Sequence, residues 1–277
     1  MPLPESAVLP SFIYGTAWKK DATAGLVETA AQAGFRAIDT ANQPRHYNEP
    51  QVGDALQALA ANGLSRKSFF LQTKFTPIDG HDHRVPYDRN LDVKDQVHQS
   101  FKSSLDHLKT DYIDSYLLHG PYSYPGLGPE DWEVWSVLEE LHQSRRVGMI
   151  GISNVNHLQL LELIDKARTK PMAVQNRCFA NRGWDRAVRS ICIDHGIMYQ
   201  GFSLLTANPN VVRHPDVTAI ARRHGVQSEQ VIFRFAMQVG ITPLTGTTSE
   251  RHMKEDLRAF DIKLTADEVE FIESMEG

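Results

Sequence analysis

Apolar positions along the chain follow two alternating patterns: short continuous runs, and longer stretches in which they recur every three or four residues. The first pair is a strand in the run 12–18 and a helix over 22–33, with leucine, valine and alanine on one face and Gly34 as its stop. The unit then repeats. Runs at 36–40, 68–74, 112–118, 147–154, 171–175, 197–202 and 241–245 predict further strands. Helices are expected over 49–62, 93–108, the stretch through Trp132, Trp135 and Leu141, 156–168, 184–195, 215–224 and 228–239, with two more from about 249 and 265. The helix over 93–108 shows the period most plainly, with Val93, Val97, Phe101, Leu105 and Leu108 at three- and four-residue spacing. Long polar loops follow three of the strands, at 76–90, 119–130 and 204–213.

Eight strands alternating with helices, joined by right-handed crossovers, predict an α/β fold of the (β/α)8 TIM-barrel type rather than a doubly wound open sheet. One such barrel takes up the whole chain, 1–277, and no domain boundary, solenoid repeat or low-complexity tract divides it. No Gly-x-Gly-x-x-Gly follows a strand and no P-loop occurs, so neither of those phosphate-binding turns is available.

Charge and cysteine usage narrow the class. A formal net charge of -5 argues against a nucleic acid or an anionic membrane as partner and favours a small molecule. Cys178 and Cys192 lack ligand spacing and read as ordinary thiols in a reducing compartment. Residues Met1 to Ser6 carry no basic segment leading into an apolar run, and no stretch reaches the ~18 apolar residues of a membrane span, which together predict a soluble cytoplasmic protein.

In a barrel of this kind, side chains at the carboxyl ends of the strands meet over one mouth. Asp39 ends the second predicted strand and leads into a loop carrying Tyr47; Lys74 ends the third; His119 follows the fourth. Singly, each has a structural explanation as a cap, a solvated strand end, a buried histidine or a loop aromatic. Together at successive strand ends they form a specific constellation.

These residues sit in a series of motifs. Asp39-Thr40-Ala41, Tyr47-Asn48-Glu49 with Val52-Gly53, Thr73-Lys74, Asp114 with Tyr116-Leu117-Leu118-His119, Gly151-Ile152-Ser153-Asn154 and Val174-Gln175 stand in the order found in aldo-keto reductases, which the chain resembles over nearly its whole length. The resemblance implies a barrel that binds NADPH, with NADH as the alternative, in an extended pose and reduces a small-molecule aldehyde or ketone to an alcohol. Hydride addition builds negative charge on the carbonyl oxygen, which a positioned proton donor must neutralise. Tyr47 is the expected general acid, Lys74 the cation that lowers its pKa, Asp39 the anchor of Lys74, and His119 the donor that orients the carbonyl. One spacing departs from the family pattern: Tyr47 lies eight residues after Asp39 and abuts Asn48, so that aligning on Asn48-Glu49 would put His46 in the tyrosine's place.

The same resemblance implies the cofactor contacts. Ser153, Asn154 and Gln175 match the residues that hold the nicotinamide carboxamide, Phe202 the ring stacked on its face, and Ser203 to Leu205 the backbone beside the pyrophosphate. At the adenosine end Leu244 replaces the usual lysine, leaving Thr245, Gly246, Thr247, Thr248, a helix amino terminus, Arg251 or His252, and Asp256. No metal is implied: Asp79, His81, Asp82 and His83 crowd one flexible loop without a rigid element to fix ligand geometry. Trp18, Tyr87, Tyr122 and Tyr124 are candidates for the substrate mouth, Trp132 and Trp135 for the outer core, and Arg177, Arg182 and Arg186 for structural ion pairs. The end of the chain at Gly277 implies a pocket more open than in longer family members, with specificity carried by the three long loops, and a monomer or weak homo-oligomer. Two other readings fit part of the pattern: a nucleotide-sensing protein like the channel-associated β subunits, suggested by the altered tyrosine loop, and a metal-dependent hydrolase using Asp39 and His119.

Overall fold

A computed structural model describes residues 9–276. The expectations resting on Met1 to Ser6 and on Gly277 lie outside those residues. Eight parallel strands pair in chain order and close, the last against the first. They are β1 Ile13–Gly15, β2 Ala37–Asp39, β3 Phe70–Phe75, β4 Ile113–Leu118, β5 Val147–Ser153, β6 Ala173–Arg177, β7 Met198–Phe202 and β8 Ile241–Thr245. The helices are α1 Thr23–Ala33, α2 Glu49–Ala61, α3 Val93–Leu108, α4 Pro129–Gln143, α5 His157–Lys166, α6 Arg186–Asp194, α7 Pro209–Val212, α8 Pro215–His224, α9 Ser228–Gln238, α10 Glu250–Leu257 and α11 Ala266–Ser274. The TIM-barrel expectation holds. Among the described residues no helix is long and apolar enough to cross a membrane.

Differences from the expected boundaries have local causes. β1 stops at Gly15, in register with Asp39, because the chain then bends over the barrel mouth, with Trp18 and Lys20 at positive φ. β6 starts at Ala173 rather than 171, where Pro171 has no N–H to give a ladder. α6 begins at Arg186 because Gly183, Trp184 and Asp185 all adopt left-handed backbone. Within the loop 204–213 the chain makes the short helix α7. Trp135 is buried and Trp132 packs partly buried against the same core, as expected of outer-layer residues.

Alternation along the strands separates two interiors. Ile38, Leu71, Tyr116, Ile150, Val174 and Tyr199 face outward into the main core under the helices. Inside the barrel, Ile13, Ala37 and Leu244 form a small apolar cluster with Phe70 and Phe202 against it. Asp39, Gln72, Lys74, Gln175 and Gln200 are also buried, so the strands carry a polar group inside the barrel as well as apolar residues.

Glu49 ties the helical layer to β3. It is 2 % exposed and accepts from Thr73 Oγ1, from Ser104 Oγ at 3.1 Å and from His107 Nδ1 at 3.3 Å, while Asn48 caps α2 by accepting from the Gln51 N–H. The Asn48-Glu49 motif therefore holds α2, β3 and α3 together just behind Lys74. Gly53 completes this junction, since a Cβ there would lie 2.0 Å from the His107 carbonyl oxygen and 3.0 Å from the Leu108 Cα. The obstructing atoms are backbone and cannot rotate away. Gly53→Ala is expected to cost about 1–3 kcal/mol, seen as a lower Tm in thermal unfolding with turnover per folded molecule little changed; an unaltered Tm would show that the two helices separate freely.

Candidate active site

Lys74 is fully buried and gives all three of its ammonium hydrogens to fixed acceptors: Asp39 Oδ1 at 2.7 Å, Asp39 Oδ2 at 2.8 Å and the Thr40 carbonyl at 2.8 Å. Burial pulls its pKa down and the Asp39 carboxylate pulls it back up. Asp39 Oδ1 also accepts from Gln72 Nε2 at 2.7 Å and Gln175 Nε2 at 3.0 Å. Gln200 closes the network, accepting from both of these amides at 2.7 and 3.0 Å and donating back to Gln72 Oε1 at 2.9 Å. A carboxylate with so many donors has no freedom to swing, and neither has the lysine that it grips.

Tyr47 lies against this pair. Its ring centroid is 5.5 Å from Lys74 Nζ and 5.9 Å from the His119 ring, which it meets edge to face. Because the ammonium hydrogens are committed elsewhere, Lys74 acts on the phenol through space rather than through a hydrogen bond. Burial and then the Asp39 charge push the phenol pKa above its ordinary value, the reverse of the lowering expected from Lys74. His46 is held elsewhere: Nδ1 is 2.8 Å from Gln43 Oε1, and the ring stacks on Trp18 at 3.9 Å between centroids. The extended loop thus returns Tyr47, and not His46, to Lys74 and His119.

His119 is kept neutral, its pKa well below the usual value through burial and the nearby Lys74 charge. Its Nδ1 is 2.7 Å from Thr76 Oγ1, and its backbone carbonyl accepts from Asn154 Nδ2 at 2.8 Å. The Thr76 contact leaves Nε2 without a partner among the described residues, and the tautomer that carries its hydrogen on Nε2 is the one able to donate to a ligand there.

Two cavities meet here, of about 730 Å³ and about 570 Å³, and Ala17, Trp18, Tyr47, His119 and Asn154 belong to the walls of both. The larger is a groove running from Asp39 past Ser153, Asn154, Gln175, Phe202, Ser203 and Leu205 to Thr245, Gly246, Thr247, Arg251, His252 and Asp256. The smaller is bounded by Gln43, His46, Thr76, Pro77, Asp79, Gly120 and Tyr122, mostly from the loops after β2, β3 and β4. Among the described residues no three His, Cys, Asp or Glu side chains are grouped to hold a metal ion.

The sequence profile of the Aldo/keto reductase family matches residues 13–276. The chain belongs to the aldo/keto reductase family. It is 30 % identical over 250 residues to an uncharacterized oxidoreductase, YtbE, of Bacillus subtilis, covering 90 % of this chain and 82 % of that protein. A glyoxal reductase of the same organism is 28 % identical over 250 residues, with the same coverage. Among solved structures, an aldo/keto reductase from Brucella melitensis superposes with a TM-score of 0.80 at 26 % identity, covering 96 % of this chain and 94 % of that one. The protein is accordingly an NAD(P)H-dependent oxidoreductase of carbonyl compounds.

Within this aldo/keto reductase barrel, nearly every residue expected at the site lies on the groove, with Lys74 directly behind Asp39. Thr248 does not; it is exposed and outside the groove wall. Of the mouth aromatics, Trp18 and Tyr122 line the smaller cavity, whereas Tyr87 is buried, donating to the Thr76 carbonyl at 2.9 Å, and Tyr124 is 85 % exposed. Arg186 pairs with Glu273 at 3.3 Å, but Arg177 and Arg182 make no ion pair among the described residues and lie instead over the Phe179 ring, Arg177 also over Phe202. The metal-like loop scatters its side chains: Asp82 pairs with Arg84, His81 turns to the Thr76 carbonyl and Asp79 faces the smaller cavity. Gln72, Gln200, Lys19, Glu229 and Glu255 were not foreseen. The first two were legible as the inward partners of Lys74 and Phe202 at two-residue spacing on their strands; the others come from loops and helices with no local signal.

Proposed function

We propose that the protein reduces an aldehyde or ketone to the corresponding alcohol, with Tyr47 as general acid, Lys74 as the charge that stabilises the phenolate left behind, Asp39 as the anchor of Lys74 and His119 as the donor that orients the carbonyl oxygen. The observation that carries this reading is the position of Tyr47, against both Lys74 and His119 at the junction of the two cavities.

The groove has the chemistry to hold a nicotinamide. Gln175 commits its amide nitrogen to Asp39 and Gln200, and Asn154 commits its own to His119 and Ser153, so that each side-chain carbonyl is left without a partner among the described residues. Two side-chain acceptors from residues that both line the groove suit the N–H2 of a carboxamide. Phe202 offers a face for the ring, and the backbone of Ser203 to Leu205 borders the path onward. A reduced nicotinamide bound there supplies the hydride, equally well from NADPH or NADH. The substrate carbonyl then belongs in the smaller cavity, its oxygen towards the Tyr47 hydroxyl and His119 Nε2. The Tyr47 phenol is protonated at neutral pH, as a proton donor must be, and the Lys74 charge favours the phenolate as the proton leaves.

The alternatives lose their footing in this geometry. The sensing reading rested on a displaced tyrosine, and Tyr47 is in contact with its expected partners. The hydrolase reading needs Asp39 as a ligand, and both its oxygens are engaged by Lys74. The test is oxidation of the reduced dinucleotide, followed by its near-ultraviolet absorbance, with an activated aromatic aldehyde. Aldehyde-dependent loss of absorbance is expected; tight dinucleotide binding without turnover of any small carbonyl would return the sensing reading to first place.

A further inference from the structure

The far end of the groove is acidic. Glu229 on α9 and Glu255 and Asp256 on α10 all line it. Leu244, at the end of β8, contributes an apolar side chain that is 8 % exposed. Of the neighbouring basic residues, Arg251 and His252 line the groove, Arg251 facing Glu255 at 3.7 Å with its side chain 75 % exposed, while Lys254 pairs with Glu250 at 2.6 Å. Lys19 reaches across from the loop after β1 and donates to the Gly246 carbonyl.

Of the hydroxyls at this corner, Thr245 Oγ1 gives its hydrogen to Asp256 Oδ2 at 2.8 Å, whereas Thr247 Oγ1 and Ser249 Oγ accept from the Ser249 and His252 N–H groups at 3.2 and 3.3 Å and keep their own hydrogens. Asp256 is 5 % exposed, and its second carboxyl oxygen has no partner among the described residues while the residue faces the groove. A buried carboxylate with a free oxygen accepts readily from a ribose hydroxyl, and at close range it repels a phosphate dianion. Burial, with Glu229 and Glu255 adding to it, pushes the Asp256 carboxyl up to about 7, so this corner disfavours further negative charge and repels a phosphate most strongly above that pH.

We propose that the adenosine end of the groove selects the free 2′-hydroxyl of NADH over the 2′-phosphate of NADPH, with Asp256 as the deciding residue and Leu244 withholding the cation that a phosphate requires. The proposal rests on the reading of the groove as a dinucleotide site, and it reverses the preference for NADPH that the family resemblance implied. Its chemistry is confined to recognition, because both dinucleotides present the same nicotinamide to Tyr47.

Binding separates the two claims. Dissociation constants for NAD+ and NADP+ are to be measured by titration calorimetry on the unaltered protein, Asp256→Asn and Leu244→Lys, with circular dichroism verifying the fold of each. The unaltered protein is expected to bind NAD+ at least about tenfold more tightly than NADP+, and each substitution to shift the ratio about tenfold or more towards NADP+. Tighter binding of NADP+ by the unaltered protein, or a ratio that neither folded variant moves, overturns the proposal and leaves the dinucleotide reading intact. Binding of neither overturns both. Should Asp256→Asn fail to fold, Leu244→Lys decides alone.

Discussion

Tyr47→Phe is expected to lower kcat for carbonyl reduction by about 10²- to 10⁴-fold, the usual worth of a positioned general acid, with dinucleotide binding retained. The substitution is informative because it removes so little. Phenylalanine keeps the ring 5.5 Å from Lys74 Nζ and edge-on to His119, so packing and the contact with the ammonium both survive. Only the hydroxyl is lost, and it makes no hydrogen bond within the described residues. A stability change beyond about 1 kcal/mol would therefore be a surprise. Single-turnover mixing of the variant with reduced dinucleotide and aldehyde measures the chemical step directly. If turnover survives, another group delivers the proton and His46 is the next to replace. Its present environment argues against it: Nδ1 is engaged by Gln43, the ring is covered by Trp18, and burial with the adjacent Arg45 charge lowers its pKa, leaving a neutral ring with little proton to give.

The barrel and three members of the proposed catalytic group were legible because each is a local property of a strand. Asp39, Lys74 and His119 end runs whose apolar content alone predicts burial, and closure in chain order brings those ends together. Tyr47 was harder. Its distance from Asp39 along the chain says nothing about where the loop returns, and what fixes the return is long-range: the Gln43 amide donates to the Gly80 carbonyl at 2.7 Å, and the Trp18 N–H donates to the His46 carbonyl at 2.7 Å. Contacts from the loops after β1 and β3 thus decide the placement of a residue in the loop after β2. The Arg177 and Arg182 reading failed for a similar reason, because Phe179 and Phe202, rather than a carboxylate, are the neighbours that the turn after β6 supplies. The acidic end of the groove gathers β8, α9 and α10, which no motif in the sequence joins.

Lys74→Met should be the most damaging single change for both stability and catalysis. Nothing in water competes for a group that is fully buried, so removing the ammonium leaves Asp39, 3 % exposed, without its counter-charge. Breaking a buried pair in this way costs about 3–5 kcal/mol. The Gln72 and Gln175 amides at 2.7 and 3.0 Å still donate to the stranded carboxylate, which places the loss towards the lower end of that range rather than at unfolding. Catalysis fails for a separate reason: the phenolate formed when Tyr47 gives up its proton has no cation within reach. The double variant Asp39→Asn/Lys74→Met separates the two effects. It removes both charges, so chemical denaturation should recover much of the lost stability, while turnover stays at the level of Lys74→Met alone. Recovery of turnover together with stability would mean that Lys74 serves only to hold the barrel mouth, and the proposed electrostatic role would fall. Equal stability of the single and double variants would instead show that the glutamine network suffices for Asp39, a result that Gln72→Leu in the Lys74→Met background would then reverse.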